Sequence, residues 1–282
     1  MDEDECYSLV NSIQSVMRMY RNKTYKKHKK HICVGIISIP HIHDYSHIMK
    51  TYVDCFEKKG VTVVPIPYNT PHIEYFFNIV NGLVIPGGDM PFIMKNKTFL
   101  STITKILTLS LNEYFPILGI CFGFELLLFL IGTFTTLKKY NAHGSYPIQI
   151  YNGYKSRLIS SFSTSYKKYL QEKKSTMQNH LYGISVDDFL HNTKLRNFYT
   201  IIATSLDDDK KEYIAAVEAK QHPIYGVQFH PERKKSDPFF DFFISELKKN
   251  KHVCEKIPSI SSYLPIHSCH EYRESNMKCY LL

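Results

Sequence analysis

A chain of 282 residues with 44% hydrophobic content is long enough to bury a full core as one large domain with extensions. No uninterrupted apolar stretch is long enough to cross a bilayer as a helix. The seven cysteines are scattered, with no C-x-x-C pair and no metal-ligand spacing, so they imply neither a zinc site nor a disulfide framework. The formal charge of +9 is concentrated in two blocks, Arg18 to Lys30 and Arg233 to Lys251. Without a nucleic-acid-binding motif these read as solvated surface, and no nucleic-acid partner is expected.

Residues 1–31 are polar and charged and read as a basic extension, with helical spacing near Tyr7 to Tyr20. The stretch opens on acids and lacks the basic and apolar regions of a signal peptide. The apolar run from Ile32 to Ser38 predicts the first strand, and Ser46 to Lys59 has helical spacing stopped by Gly60. His41, His43 and His47 cluster before that helix at loop spacing and read as surface residues. Val61 to Ile66 predicts a strand, Ile73 to Val80 a helix, and Gly82 to Ile85 a strand ending in Pro86-Gly87-Gly88-Asp89. A helix over Leu100 to Asn112 leads into the apolar run Phe115 to Ile120. Strands that read as continuous apolar runs and alternate with helices predict a parallel sheet covered on both faces.

From Thr133 to Lys174 the pattern weakens, with a strand-like piece at Tyr146 to Tyr151. Strands are predicted at Ile184 to Val186, Phe198 to Thr204, Tyr213 to Ala219 and Ile224 to Phe229, as antiparallel additions, and an amphipathic helix at Pro238 to Lys248. Residues 251–282 show no period and read as a partly ordered tail. Its last four residues from Cys279 match a prenylation box, and Asn22-Lys23-Thr24 and Asn96-Lys97-Thr98 match glycosylation sequons; all three patterns are frequent by chance.

The chain is organised around Gly119-Ile120-Cys121-Phe122-Gly123. A buried strand precedes the cysteine, and an apolar run long enough for a helix, Phe122 to Ile131, follows it. That is the sequence form of a nucleophile elbow, with the reactive side chain at the apex of a sharp strand-to-helix turn. Cys121 would stand at a helix N-terminus, which favours thiolate, and the N–H of Phe122 would point where an oxyanion forms. Taken alone, the pattern fits a nucleophile and a buried core cysteine equally. Gly87 and Gly88, also at a strand end, let the backbone approach a ligand and offer N–H groups, or make an ordinary βα turn. A cysteine nucleophile needs a base, and the base an orienting group. Among 14 histidines, His230 stands out at the end of the strand Ile224 to Phe229, with Glu232 two residues later to hold its far nitrogen.

Three motifs thus arrive at strand ends in order: Pro86-Gly87-Gly88, Gly119-x-Cys121-x-Gly123 and His230-Pro231-Glu232. In these residues the chain resembles the class I glutamine amidotransferase-like superfamily, and within it the γ-glutamyl hydrolases, over about residues 32–250. The resemblance implies an α/β fold, a mainly parallel sheet with helices on both faces and antiparallel additions. It implies a Cys121–His230–Glu232 triad, with Gly87, Gly88 and Phe122 at the oxyanion. Glu125 stands where glutamine amidotransferases carry Gln, and His180, in Asn179-His180-Leu181-Tyr182, matches a further active-site histidine of the hydrolases. The implied reaction is thioester-mediated cleavage of γ-glutamyl bonds, with folate poly-γ-glutamate as substrate and neither metal nor organic cofactor. A glutaminase module feeding a synthase and a catalytically silent binding relative are the alternatives. Family membership implies a lysosomal, vacuolar or extracellular protein, whereas the missing signal peptide implies a cytoplasmic one if the sequence is complete. A homodimer is left open.

Overall fold

The computed structural model describes residues 31–41, 45–133, 137–151, 155–233, 238–254, 257–271 and 274–282. Its strands are β1 (Cys33–Ile37), β2 (Ile39–Pro40), β3 (Ser46–Met49), β4 (Thr62–Ile66), β5 (Leu83–Ile85), β6 (Ile117–Ile120), β7 (Lys138–Tyr146) and β8 (Gln149–Ile150). They continue as β9 (Thr176–Gly183), β10 (Tyr199–Leu206), β11 (Glu212–Ala219), β12 (Ile224–Val227), β13 (His267–Glu271) and β14 (Glu274–Leu281). The helices are α1 (Lys50–Glu57), α2 (Ile73–Ile79), α3 (Met90–Ile93), α4 (Lys97–Ser110), α5 (Phe122–Ile131), α6 (Arg157–Ser160), α7 (Thr164–Glu172), α8 (Val186–His191), α9 (Thr193–Phe198) and α10 (Pro238–Leu247).

One eight-stranded sheet runs β4-β1-β5-β6-β12-β11-β10-β8. Its first five strands are mutually parallel, and β11, β10 and β8 are added antiparallel. The expected α/β architecture is therefore present. The parallel strands are apolar throughout because both faces are covered, and alternate residues feed two separate cores. Val34, Ile36, Val84, Leu118 and Ile120 pack with Tyr52, Val53 and Phe56 of α1 and Phe240 and Phe243 of α10. Cys33, Ile37, Leu83, Ile85 and Ile117 pack with Phe76 of α2, Ile103 and Ile106 of α4, and Leu126 and Leu127 of α5.

Local periodicity misplaces the segments whose partners are distant. Ser46–Met49, expected to open a helix, is a strand because β14 pairs with it from the other end of the chain, Leu281 against His47 and Cys279 against Met49. His47 is consequently buried rather than at the surface. Thr176–Gly183, which showed no strand signal, pairs with β7 in a two-stranded ribbon. Val186 begins a helix capped by Ser185 instead of ending a strand. The stretch read as a tail contains the hairpin β13–β14, which extends β3 and β2 into a four-stranded sheet. Two disulfides that cysteine spacing did not announce, Cys33–Cys254 and Cys269–Cys279, tie this region down; Cys55 and Cys121 form no disulfide. Cys279 of the prenylation box is thus buried and already bonded. Cys6, His43 and the sequon at Asn22 lie outside the described residues.

Among the described glycines, Gly123 has the least room: a Cβ there would lie 2.1 Å from the carbonyl oxygen of Ile85 in β5. Since that obstacle is backbone in a central strand, it cannot give way. Gly123→Ala is expected to lower the unfolding free energy by about 3 kcal/mol or more, read by urea denaturation; a loss below ~1 kcal/mol would contradict the contact.

Candidate active site

The end of β6 and the start of α5 make the elbow. Cys121, between them, has φ 53° and ψ −107°, a backbone region that residues with a Cβ adopt only under constraint. Two hydrogen bonds hold it there. The Cys121 N–H donates to the carbonyl of Val227 at the end of β12 (2.8 Å), and the Gly123 N–H donates to that of Pro86 after β5 (3.1 Å). The elbow is clamped between the ends of both neighbouring strands. Phe122 opens the helix, so its N–H has no intrahelical acceptor. Neither it nor the N–H of Gly88 donates to any described residue, which leaves both available as oxyanion donors.

His230 lies just beyond β12, its N–H bonded to the carbonyl of Met177 in β9 (2.8 Å). Its Nδ1 meets Glu232 Oε1 at 2.6 Å, and its ring and the Cys121 side chain flank the same space over Gly87. Glu232 sits in a short 3-10 turn, Pro231–Arg233, that folds the carboxylate back onto the ring. Burial opposes charge on His230, but the Glu232 carboxylate and the Cys121 sulfur outweigh it and hold the imidazole well above its ordinary value. The same burial pushes the Cys121 thiol up, against the pull of His230. The sulfur also lies 3.9 Å from the backbone carbonyl of Asn179 and 4.0 Å from Gln228 Nε2.

A cleft opens over the sulfur, and Gly88, Cys121, Glu125 and His180 all line it, with Asp89, Met90, Pro91, Asn179, Leu181 and Tyr182 completing the wall. The structure therefore brings these four expected site residues together on one cavity, with His230 and Glu232 behind the sulfur. Gly87 is placed differently. Its N–H donates to the hydroxyl of Tyr52 in α1 (3.0 Å), so it braces the loop, while its missing Cβ leaves room for the His230 ring and Cys121. His180, from the β7–β9 ribbon, donates Nδ1–H to the carbonyl of Tyr182 (2.8 Å). Burial drives its pKa down to about 3, against that bond, so the ring is neutral and Nε2 is an acceptor.

Glu125, one helical turn after Cys121, is 3% exposed. Burial pushes its carboxyl up to about 8, against a hydrogen bond from Gln228 Nε2 (2.9 Å) and the charge of His230. Two residues of this site were not singled out in the sequence. Tyr52 occupies an apolar position of its helix and reads as core, and nothing local tells that its hydroxyl reaches the Gly87 loop. Gln228 was legible in principle, because alternation along a strand points it to the same side as His230.

A carboxyl that ionises near 4.5 in the unfolded chain but near 8 in the folded one costs stability as pH rises through that window. Glu125→Gln removes the cost. Its stability relative to the natural chain is expected to increase between pH 5 and pH 8 by on the order of a few kcal/mol, measured by denaturant unfolding at both values. A difference independent of pH would contradict the burial of a neutral carboxyl.

Comparison with known proteins agrees with this geometry. The family model for class-I glutamine amidotransferases matches residues 41–245. γ-Glutamyl hydrolase B of Dictyostelium discoideum is 31% identical over 234 residues, covering 73% of this chain and 67% of its own length. γ-Glutamyl hydrolase 1 of Arabidopsis thaliana is 30% identical, covering 78% and 64%. The Mus musculus γ-glutamyl hydrolase is 30% identical, covering 75% and 74%. Among solved structures, a putative GMP synthase subunit from Thermoplasma acidophilum superposes with a TM-score of 0.56 at 17% identity, covering 78% of this chain and 94% of that one. The glutaminase domain of the Trypanosoma brucei CTPS, with bound acivicin, does so at 0.54 and 15%, covering 81% and 98%. Those two share the fold. This chain belongs to the class-I glutamine amidotransferase family and, within it, to the γ-glutamyl hydrolases.

Proposed function

We propose that the chain hydrolyses γ-glutamyl bonds, with folate poly-γ-glutamates as the substrate class, through a thioester on Cys121. The observation that carries this reading is the juxtaposition of Cys121 and His230, with Glu232 Oε1 2.6 Å from His230 Nδ1 and the cysteine on a strained elbow at the floor of a cleft. In the Cys121–His230 pair the thiol proton passes to His230 Nε2, and the Sγ thiolate so formed attacks the γ-carbonyl. The N–H groups of Phe122 and Gly88 receive the oxyanion. Collapse passes the proton from His230 to the departing amine and leaves the γ-glutamyl thioester. His230 then takes a proton from water, whose oxygen attacks the thioester and releases the acid. Glu232 holds the ring in the tautomer that presents Nε2 to sulfur and stabilises the imidazolium that forms. Neutral His180 and protonated Glu125 face the acyl side of the cleft and serve as contacts for the glutamyl group.

A lysosomal, vacuolar or extracellular location belongs to the same proposal. Two buried disulfides support it, since such bonds persist in oxidising compartments.

The test is glutamate release from a pteroyl-poly-γ-glutamate, with Cys121→Ala and free glutamine run in parallel. Cleavage of polyglutamate, indifference to glutamine and a loss of at least about a thousandfold in Cys121→Ala are expected. Substantial turnover by Cys121→Ala, or ammonia from glutamine with polyglutamate untouched, would overturn the proposal. A second expectation concerns the loop brace: Tyr52→Phe leaves the Gly87 N–H unpaired and should lower kcat about tenfold or more with little change in KM. Unchanged kcat would sink it.

A further inference from the structure

Gln228 is fully buried between the nucleophile and Glu125, and the triad does not use it. Its backbone N–H is pinned to the carbonyl of Ala215 in β11 (2.9 Å), so the strand end that aims His230 at the sulfur aims Gln228 at it as well. Its Nε2 carries two hydrogens and reaches two acceptors, Glu125 Oε1 at 2.9 Å and Cys121 Sγ at 4.0 Å. Gln228 thus joins His230 as a side-chain group acting on the sulfur.

We propose that Gln228 is a positioning residue for the nucleophile: its carboxamide gives one N–H to Cys121 Sγ and the other to Glu125, favouring the thiolate while holding the carboxyl away from it. The conflict it resolves is built into the fold. Glu125 stands one helical turn from Cys121, where a carboxyl can contact the substrate, but an ionised carboxyl there opposes the formation of a second anion. A neutral amide on the neighbouring strand end satisfies both acceptors without adding charge. The titratable groups around the sulfur are His230 and Glu232 beyond β12, Glu125 from α5, His180 and Tyr182 from β9, and Asp89 after β5 across the cleft. Gln228 is the uncharged member that touches both the sulfur and the carboxyl.

The inference rests on the reading of Cys121 as the nucleophile but not on the identity of the substrate. Alkylation by iodoacetamide, followed by peptide mass to separate Cys121 from the other cysteines, needs no γ-glutamyl compound. Rates are measured from pH 5 to 10 on the full chain and on Gln228→Met, which keeps the length and removes both N–H donors. Cys121 in Gln228→Met should react about tenfold more slowly at neutral pH, with the midpoint of its rate–pH curve raised by about one unit and its high-pH plateau within about threefold. Gln228→Glu, which puts an acceptor in place of the donor, should raise the midpoint further. A folded Gln228→Met with an unmoved midpoint would overturn the proposal, even if its Tm fell, because filling space alone does not shift that curve. If neither variant folds, Glu125→Gln decides: it removes the opposing carboxyl and should lower the midpoint, and an unmoved midpoint contradicts the proposal.

Discussion

The site depends on one steric constraint, the contact of the first turn of α5 with the end of β5. A Cβ on Gly123 would lie 2.1 Å from the Ile85 carbonyl oxygen, and one on Gly119 would lie 2.6 Å from the carbonyl oxygen of Gly123. Only with both absent can the chain turn from strand to helix within a single residue. Cys121 therefore takes its positive φ, which lifts the sulfur above the sheet and leaves the next N–H unpaired. The strain at Cys121 and the unpaired N–H of Phe122 follow from the same close approach.

The parallel order of the sheet supplies the remaining parts. β5, β6 and β12 are neighbours, so the Pro86-Gly87-Gly88 loop, Cys121 and the Gln228–Glu232 segment all leave the sheet at adjacent carboxyl ends. Hydrogen bonds from Cys121 to Val227 and from Gly123 to Pro86 lock these exits together. The β7–β9 ribbon, bonded to His230 through Met177, closes the cleft from the other side with Asn179, His180 and Tyr182. The result is a pocket in which one imidazole is held charged by a carboxylate and another is held neutral by burial. Two histidines with opposite electrostatics suit them to different tasks, proton transfer and hydrogen-bond acceptance.

What could be read in the sequence was what is local. The apolar runs of β1, β4, β5, β6 and β12 announce a covered parallel sheet, and the glycines around Cys121 announce the elbow. His230 and Glu232 were legible because one side chain orients the other two residues away. Whatever depends on distant pairing was not. Ser46–Met49 is a strand because β14 comes back to it, and the C-terminal hairpin could not be placed because its partner, β3, lies more than 200 residues earlier in the chain. Tyr52 shows the limit within the site: its spacing is that of a core residue, and its ring is indeed buried, but its hydroxyl does the bracing. His180 was placed through resemblance, since Asn179 to Tyr182 has neither strand alternation nor a charged partner to mark it.

The most direct measurement of the central claim is the intact mass of the chain, acid-quenched within milliseconds of mixing with a pteroyl-poly-γ-glutamate. The account predicts a population heavier by the acyl group, with the increment on the peptide that holds Cys121 and reversed by hydroxylamine. Turnover accompanied by an adduct on any other residue would contradict a thioester at the elbow.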